Sequence, residues 1–285
     1  MLVSAVAFGT MPALATWAYE GKTGTETLLF LRFVISFVIV GLVAVRAKRT
    51  FPTGRTLQGW ILLGVVLYTA QSYSFFAALK HAPAALVSIL LYLYPVIVAG
   101  LSVAFLRERV TPLRFVSLCL AVGGAALAVG PVAGAQPVGV AWGLAAAVFY
   151  SIYLVIGAGL LRNSDGVASS VVIMGAAAVT YAVFASIVGW HFPENAVGWL
   201  GSIGLALSSA IALALLFAGM EIIGPIDAST LSAVEPIVTA SLGFIFFGQN
   251  LAVLQYIGGG LILLAAILVV RSSHKRAQIE ARGDA

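Results

Sequence analysis

The chain has 285 residues, 61% apolar and 9% charged, with a formal net charge of +5. Soluble domains average about 45–50% apolar and about 25% charged residues, so water is not the solvent for this surface. The composition excludes a disordered chain, a secreted disulfide scaffold and an ordinary cytosolic enzyme, and it points to a polytopic membrane protein.

A spanning helix takes about 20 apolar residues. Ten runs qualify in chain order: 2–19, 28–46, 58–79, 84–106, 112–130, 137–160, 166–190, 197–220, 227–247 and 251–271. Turn chemistry separates them, at Glu20-Gly21-Lys22-Thr23-Gly24, Phe51-Pro52-Thr53-Gly54, His81-Ala82-Pro83, Val110-Thr111-Pro112, Asn163-Ser164-Asp165-Gly166 and Phe192-Pro193-Glu194-Asn195. The first run lacks a basic n-region and reads as a true span rather than a signal peptide. The expected fold class is an all-α membrane protein of ten transmembrane helices. Cys119 lies inside the fifth run; as the single cysteine it excludes an internal disulfide and a cysteine metal cluster.

Lysine and arginine set the orientation. With the N-terminus in the cytoplasm, that side receives Arg46, Lys48, Arg49, Arg55, Arg107, Arg109, Arg114, Arg162, Arg271, Lys275, Arg276 and Arg282. The outside receives only Lys22 and Lys80, and Arg32 lies within the second run. Both termini are therefore expected inside, in the cell (inner) membrane. The basic excess becomes a matter of topology, and no nucleic-acid partner is expected. The basic tail reads as an anchor on the membrane surface.

An offset of 141 residues aligns the chain with itself: Phe8 with Phe149, Phe76-Ala77 with Phe217-Ala218, Ser88 with Ser229, Leu90 with Leu231, Pro95 with Pro236, Phe105 with Phe246. Each half, 1–136 and 137–285, then holds five runs. Five is odd, so the halves have opposite orientations, a construction secondary transporters use around a midplane site. The alternative is a duplicated fold without transport.

Ala77-Ala78-Leu79-Lys80-His81-Ala82-Pro83-Ala84, Leu90-Leu91-Tyr92-Leu93-Tyr94-Pro95-Val96 and Leu106-Arg107-Glu108-Arg109-Val110-Thr111 resemble the first repeat of the EamA family, in the drug/metabolite transporter superfamily. Val234-Glu235-Pro236-Ile237 with Gly248-Gln249-Asn250-Leu251 resembles its second repeat, and Phe30-Leu31-Arg32-Phe33 its second-helix motif. Gln249 departs from the pattern, which usually has an acidic residue there. The resemblance implies export of small metabolites, often amino acids, by alternating access.

Polar groups at membrane depth are expensive and therefore informative. Glu235 reads as a substrate-amine contact or a proton site. Arg32, near the end of its run, reads as an anchor whose long stem snorkels outward. Asp227 reads as a helix N-terminal cap. Pro95 and Pro236 each remove a backbone donor and free the carbonyls of Leu91 and Ser232; paired breaks at repeat-related positions mark a binding site. Helical spacing gathers Ser88, Tyr92 and Pro95 in the fourth run and Gln71, Ser74 and Phe75 in the third. The sixth carries an aromatic stripe of Trp142, Phe149, Tyr150 and Tyr153, and the eighth carries Ser208 and Ser209. The candidate substrate contacts are Gln71, Ser74, Phe75, Ser88, Tyr92, Tyr94, Phe149, Tyr150, Tyr153, Ser208, Ser232 and Glu235. Trp17, Tyr19, Trp60, Trp190, Trp199 and Tyr256 read as interface-belt aromatics. His81 reads as a solvated loop residue. Gly139, Gly143 and Gly258-Gly259-Gly260 read as close-packing positions.

The expectation is a secondary transporter, not an enzyme, without cofactor or metal, working in the lipid bilayer as a monomer or weak homo-oligomer. Its partner is a small-molecule substrate, with aromatic amino acids favoured by the deep tyrosines. The alternatives are a carrier of drugs, other metabolites or nucleotide-sugar-like solutes, a membrane enzyme, an accessory subunit or a channel.

Overall fold

The computed structural model describes all residues except 83, 107–110, 130–135, 233, 248–252, 255–256, 266 and 269–285. Among the described residues the regular structure is helical throughout, without strands. In chain order the helices are α1 (Leu2–Glu20), α2 (Thr25–Arg46), α3 (Gly54–His81), α4 (Ala84–Leu91), α5 (Tyr94–Leu101), α6 (Pro112–Val129), α7 (Pro137–Leu161), α8 (Gly166–Val188), α9 (Ala196–Ser232) and α10 (Glu235–Phe247). A further helical stretch covers 257–265.

Local chemistry explains the ends. Asp165 caps α8 by accepting from the Ala168 amide at 2.9 Å. Pro137 opens α7, where its missing amide is harmless. Glu26 lies in the first turn of α2 and Arg46 in its last, each at the end its charge favours.

Among the described residues, six helices are long and apolar enough to cross a membrane: Leu2–Glu20, Thr25–Arg46, Gly54–His81, Pro137–Leu161, Gly166–Val188 and Ala196–Thr239. The outer surface agrees, since Ile187, Ile222 and Phe105 stand mostly exposed, as a lipid-facing surface requires. The ten runs expected from sequence differ from these helices in two places. The fourth divides into α4 and α5. The eighth joins the ninth across Gly224, whose φ of 78° breaks the helical path just before Pro225. Most of the region beyond 247 lies outside the described residues, and Gln249 and Tyr256 lie there with it.

The helix ends gather in two layers. In one, Lys22 pairs with Glu194 at 2.8 Å, the Gly24 amide donates to the His191 carbonyl at 3.0 Å, and the Gln136 amide donates to the His81 carbonyl at 3.1 Å. The hydrogen bond that Lys22 donates to Glu194, and then the Glu194 charge, raise the Lys22 pKa above the ordinary lysine value. His81 also meets the Gln136 side chain at 3.3 Å, so it is tied into this layer rather than merely solvated. In the other layer Arg49 pairs with Asp165 at 3.1 Å, and the Gly166 amide donates to Glu221 at 3.1 Å. Arg46, Lys48, Arg55 and Arg162 sit at this second end, so the basic residues concentrate on one side.

Trp60 is a correction. It is fully buried, its indole N–H donates to Ser164 at 3.0 Å, and its ring meets Phe217 edge-on at 5.2 Å, so it is a core residue and not a belt aromatic. Trp190 and Trp199 are about two-fifths exposed, as belt residues are.

Candidate substrate cavity

The cavity forms where helices break. α4 ends at Leu91, α5 restarts at Tyr94 with Pro95 in its first turn, and Tyr92–Leu93 form the turn between. α9 ends at Ser232, and α10 restarts at Glu235. The carbonyls expected to be freed, Leu91 and Ser232, are thus the last residues of their helices. The bonds around the two breaks correspond. Leu93 donates to Leu90 at 3.3 Å and accepts from Val96 and Ile97 at 3.2 and 3.3 Å. Val234 donates to Leu231 at 3.3 Å and accepts from Ile237 and Val238 at 3.1 and 3.5 Å. These residues are related by the offset of 141. Pro236 is the second residue of α10; its side chain lies outside the described residues.

Between the breaks lies a cavity enclosing about 570 Å³ of space including its mouth. Six of the candidate contacts line it: Gln71, Phe75, Ser88, Tyr92, Tyr150 and Glu235. The remainder of its wall is Phe8, Met11, Pro12, Arg32, Tyr68, Ser72, Phe76, Leu91 and Thr239. Pro12 sits inside α1 and leaves the Phe8 carbonyl without its helical donor, so a third proline break faces the same space.

The other candidates lie outside the lining. Tyr94 is buried behind it, donating to the Ser229 carbonyl at 3.3 Å and meeting the Tyr150 ring at 4.8 Å. Tyr153 is buried, stacked on Tyr68 at 4.8 Å and on Tyr150 at 6.0 Å, and its hydroxyl has no hydrogen-bond partner among the described residues. Ser208 bonds Thr10 at 2.8 Å and joins α9 to α1. Ser74 and Ser232 are buried, Pro95 is buried in the first turn of α5, and Phe149 is half-buried on α7.

Arg32 is not where its stem length suggested. Its side chain turns inward and is only 4% exposed. Its Nε donates to Ser209, and a terminal nitrogen donates to the Tyr68 hydroxyl at 3.2 Å. The guanidinium lies 4.8 Å from the Phe33 ring centroid and 5.7 Å from that of Phe76. Hydrogen bonds to a charge contribute about 1.5–3 kcal/mol each, and a desolvated cation–π contact about 2 kcal/mol. Desolvating an ion costs several kcal/mol, a penalty these neutral contacts can match while supplying no counter-charge. The structure explains the direction: Leu28, Arg32, Ser36, Val40 and Ala44 repeat every fourth position and all are buried, so Arg32 lies on the inward stripe of α2. Phe8, Met11 and Pro12 share a comparable signal in α1, a proline one turn beyond an aromatic.

Glu235 opens α10 and is 6% exposed; its Oε1 is buried without a hydrogen-bond partner among the described residues. The helix N-terminus favours its negative charge. Thr239 donates to the Gly9 carbonyl at 2.9 Å, which fixes α10 against α1 beside the cavity. Asp227 is buried in the first turn after the Gly224 break, close to the position expected of a cap.

An all-helical body with apolar outer faces around a polar, aromatic cavity defines a multi-pass membrane protein. The EamA-like transporter family model matches residues 1–130 and again 137–271. The chain belongs to the EamA-like transporter family. It is 27% identical over 276 residues to an uncharacterized transporter of Archaeoglobus fulgidus, covering 95% of each chain. It is 25% identical over 275 residues to the uncharacterized transporter YcbK of Bacillus subtilis, covering 91% of this chain and 88% of that one. A crystal structure at 21% identity shares the fold, with a TM-score of 0.79 over 96% of each chain.

Proposed function

We propose that this protein is a secondary transporter that exports small organic metabolites, specifically amino acids with aromatic side chains, across the inner membrane by alternating access. Its two five-helix halves, 1–136 and 137–285, rock in opposite orientations about the cavity, with both termini in the cytoplasm. The observation that carries this reading is the cavity itself. It lies at two helix breaks related by the offset of 141 and combines the rings of Phe8, Phe75, Phe76, Tyr92 and Tyr150 with the buried Glu235 carboxyl group. Breaks of this kind expose backbone and helix ends to a solute at membrane depth. Aromatic walls suit a flat apolar side chain, and a few convergent polar groups orient the rest of the solute. The two family matches and the corresponding hydrogen bonds at Leu93 and Val234 support the inverted repeat.

Proteoliposomes loaded with radiolabelled phenylalanine test the reading. Saturable, protein-dependent efflux is the expected result. Flux of other amino acids but not phenylalanine removes the aromatic preference, and no protein-dependent flux of any amino acid overturns the substrate class.

A further inference from the structure

A buried guanidinium, Arg32, and a buried carboxyl group, Glu235, line one cavity, and no ion pair joins them. The ion pairs among the described residues are Lys22–Glu194 and Arg49–Asp165, both at helix ends. Arg32 is held by neutral groups, the Ser209 and Tyr68 hydroxyls, and by the faces of two rings. Glu235 keeps a carboxylate oxygen with no partner among the described residues. A cation and an acidic group held apart in a low-dielectric wall are complementary to a ligand that carries a carboxylate and an ammonium group.

We propose that Arg32 binds the solute's carboxylate and Glu235 its ammonium group, so that the cavity selects zwitterions and rejects analogues with a single charge. This deepens the transport reading above and rests on it. The guanidinium fork matches carboxylate geometry. Glu235, an acceptor at the start of α10, matches an ammonium donor. An amine alone leaves Arg32 without a counter-charge, and an acid alone leaves the Glu235 carboxyl group without a donor. Each mismatch leaves a buried polar group unmatched, which is how a binding site rejects the wrong ligand. The aromatic wall then holds the side chain, which both single-charge analogues share with the zwitterion.

The test uses three solutes with the same ring: phenylalanine, phenethylamine and 3-phenylpropionate. Wild-type proteoliposomes should move phenylalanine at least roughly tenfold faster than either analogue, the ratio that one lost charge-assisted pairing produces. Arg32→Gln should lower phenylalanine flux and raise phenethylamine relative to it. Glu235→Gln should raise 3-phenylpropionate instead. Arg32→Lys keeps the charge and should keep the wild-type ranking, which separates recognition from folding. A merely structural Arg32 lowers all three fluxes in proportion, and that result overturns the proposal. Equal wild-type flux of phenylalanine and phenethylamine overturns it as well. If the wild type transports nothing, the transport reading fails, and the assignment is read from binding. Zwitterionic amino acids should then raise the unfolding temperature of the purified protein while single-charge analogues do not, and no shift with any zwitterion overturns the assignment.

Discussion

Glu235 depends on a residue with no side chain. A Cβ placed on Gly9 stands 2.7 Å from the Glu235 carbonyl oxygen and 2.7 Å from the Val238 Cβ, closer than real Cβ atoms come. Gly9→Ala must therefore push α1 and α10 apart beside the cavity, and overpacking of this kind costs about 1–3 kcal/mol. Gly100 has open space where its Cβ would stand. Gly100→Ala should be neutral or stabilise by up to about 1 kcal/mol through helix propensity alone. Thermal unfolding and phenylalanine flux should both fall for Gly9→Ala and not for Gly100→Ala; equal behaviour removes the positioning role of Gly9. Glu235, Tyr92 and Gln71 were legible because polar groups in oil are few and expensive. Gly9 was not, since nothing in one sequence tells a glycine facing a helix from one facing lipid. Arg32 was misjudged because its stem is long enough for either direction, and only the burial of Ser36 and Val40 on the same stripe decides between them.

Two kinds of irregularity shape the helices that carry the cavity. The proline breaks were legible, because a missing amide has a fixed consequence at a known position. The π turn in α3, over Leu63–Tyr68, was not, because an extra residue in a turn has no residue signature. Two side chains hold it: Thr69 donates back to the Gly64 carbonyl at 2.8 Å, and Tyr181 of α8 donates to the Thr69 carbonyl at 2.8 Å. Tyr68 ends this turn, and its hydroxyl accepts from Arg32. Tyr181→Phe removes one hydrogen bond and keeps the ring that stacks on Phe33 at 5.7 Å. It should lower stability by about 1 kcal/mol and leave the ranking of solutes unchanged. A change in ranking would show that the π turn itself sets selectivity. The Gly224 break is the same lesson in reverse: glycine followed by proline reads as a loop, but Glu221–Ile223 remain helical up to the break.

At the scale of the whole molecule, charge reads sidedness and packing reads which ends belong together. The sequence distribution is the ground for expecting the layer of Arg49, Arg55 and Arg162 on the cytoplasmic side, and the structure gathers those residues at one end. Single cysteines at positions 22 and 55, on a Cys119→Ser background, check the orientation. A membrane-impermeant maleimide should label Lys22→Cys in intact cells and Arg55→Cys only after permeabilisation; the opposite pattern inverts the topology. Aromatic packing was partly legible. The chain of rings from Trp60 through Phe217 and Tyr153 to Tyr150 crosses the interior, but only its deep tyrosines stood out in sequence. Trp60 was lost to the general habit of tryptophan at interfaces.

Arg32 and Glu235 come from different family segments, Arg32 from residues 1–130 and Glu235 from 137–271. On the proposed assignment, a solute held by both bridges the two segments. Under a rocking cycle, relative motion of the halves stretches that bridge, and release of either end uncouples them. The solute is then a removable strut as well as cargo, and its length between charges sets how far the halves can separate while it is still held.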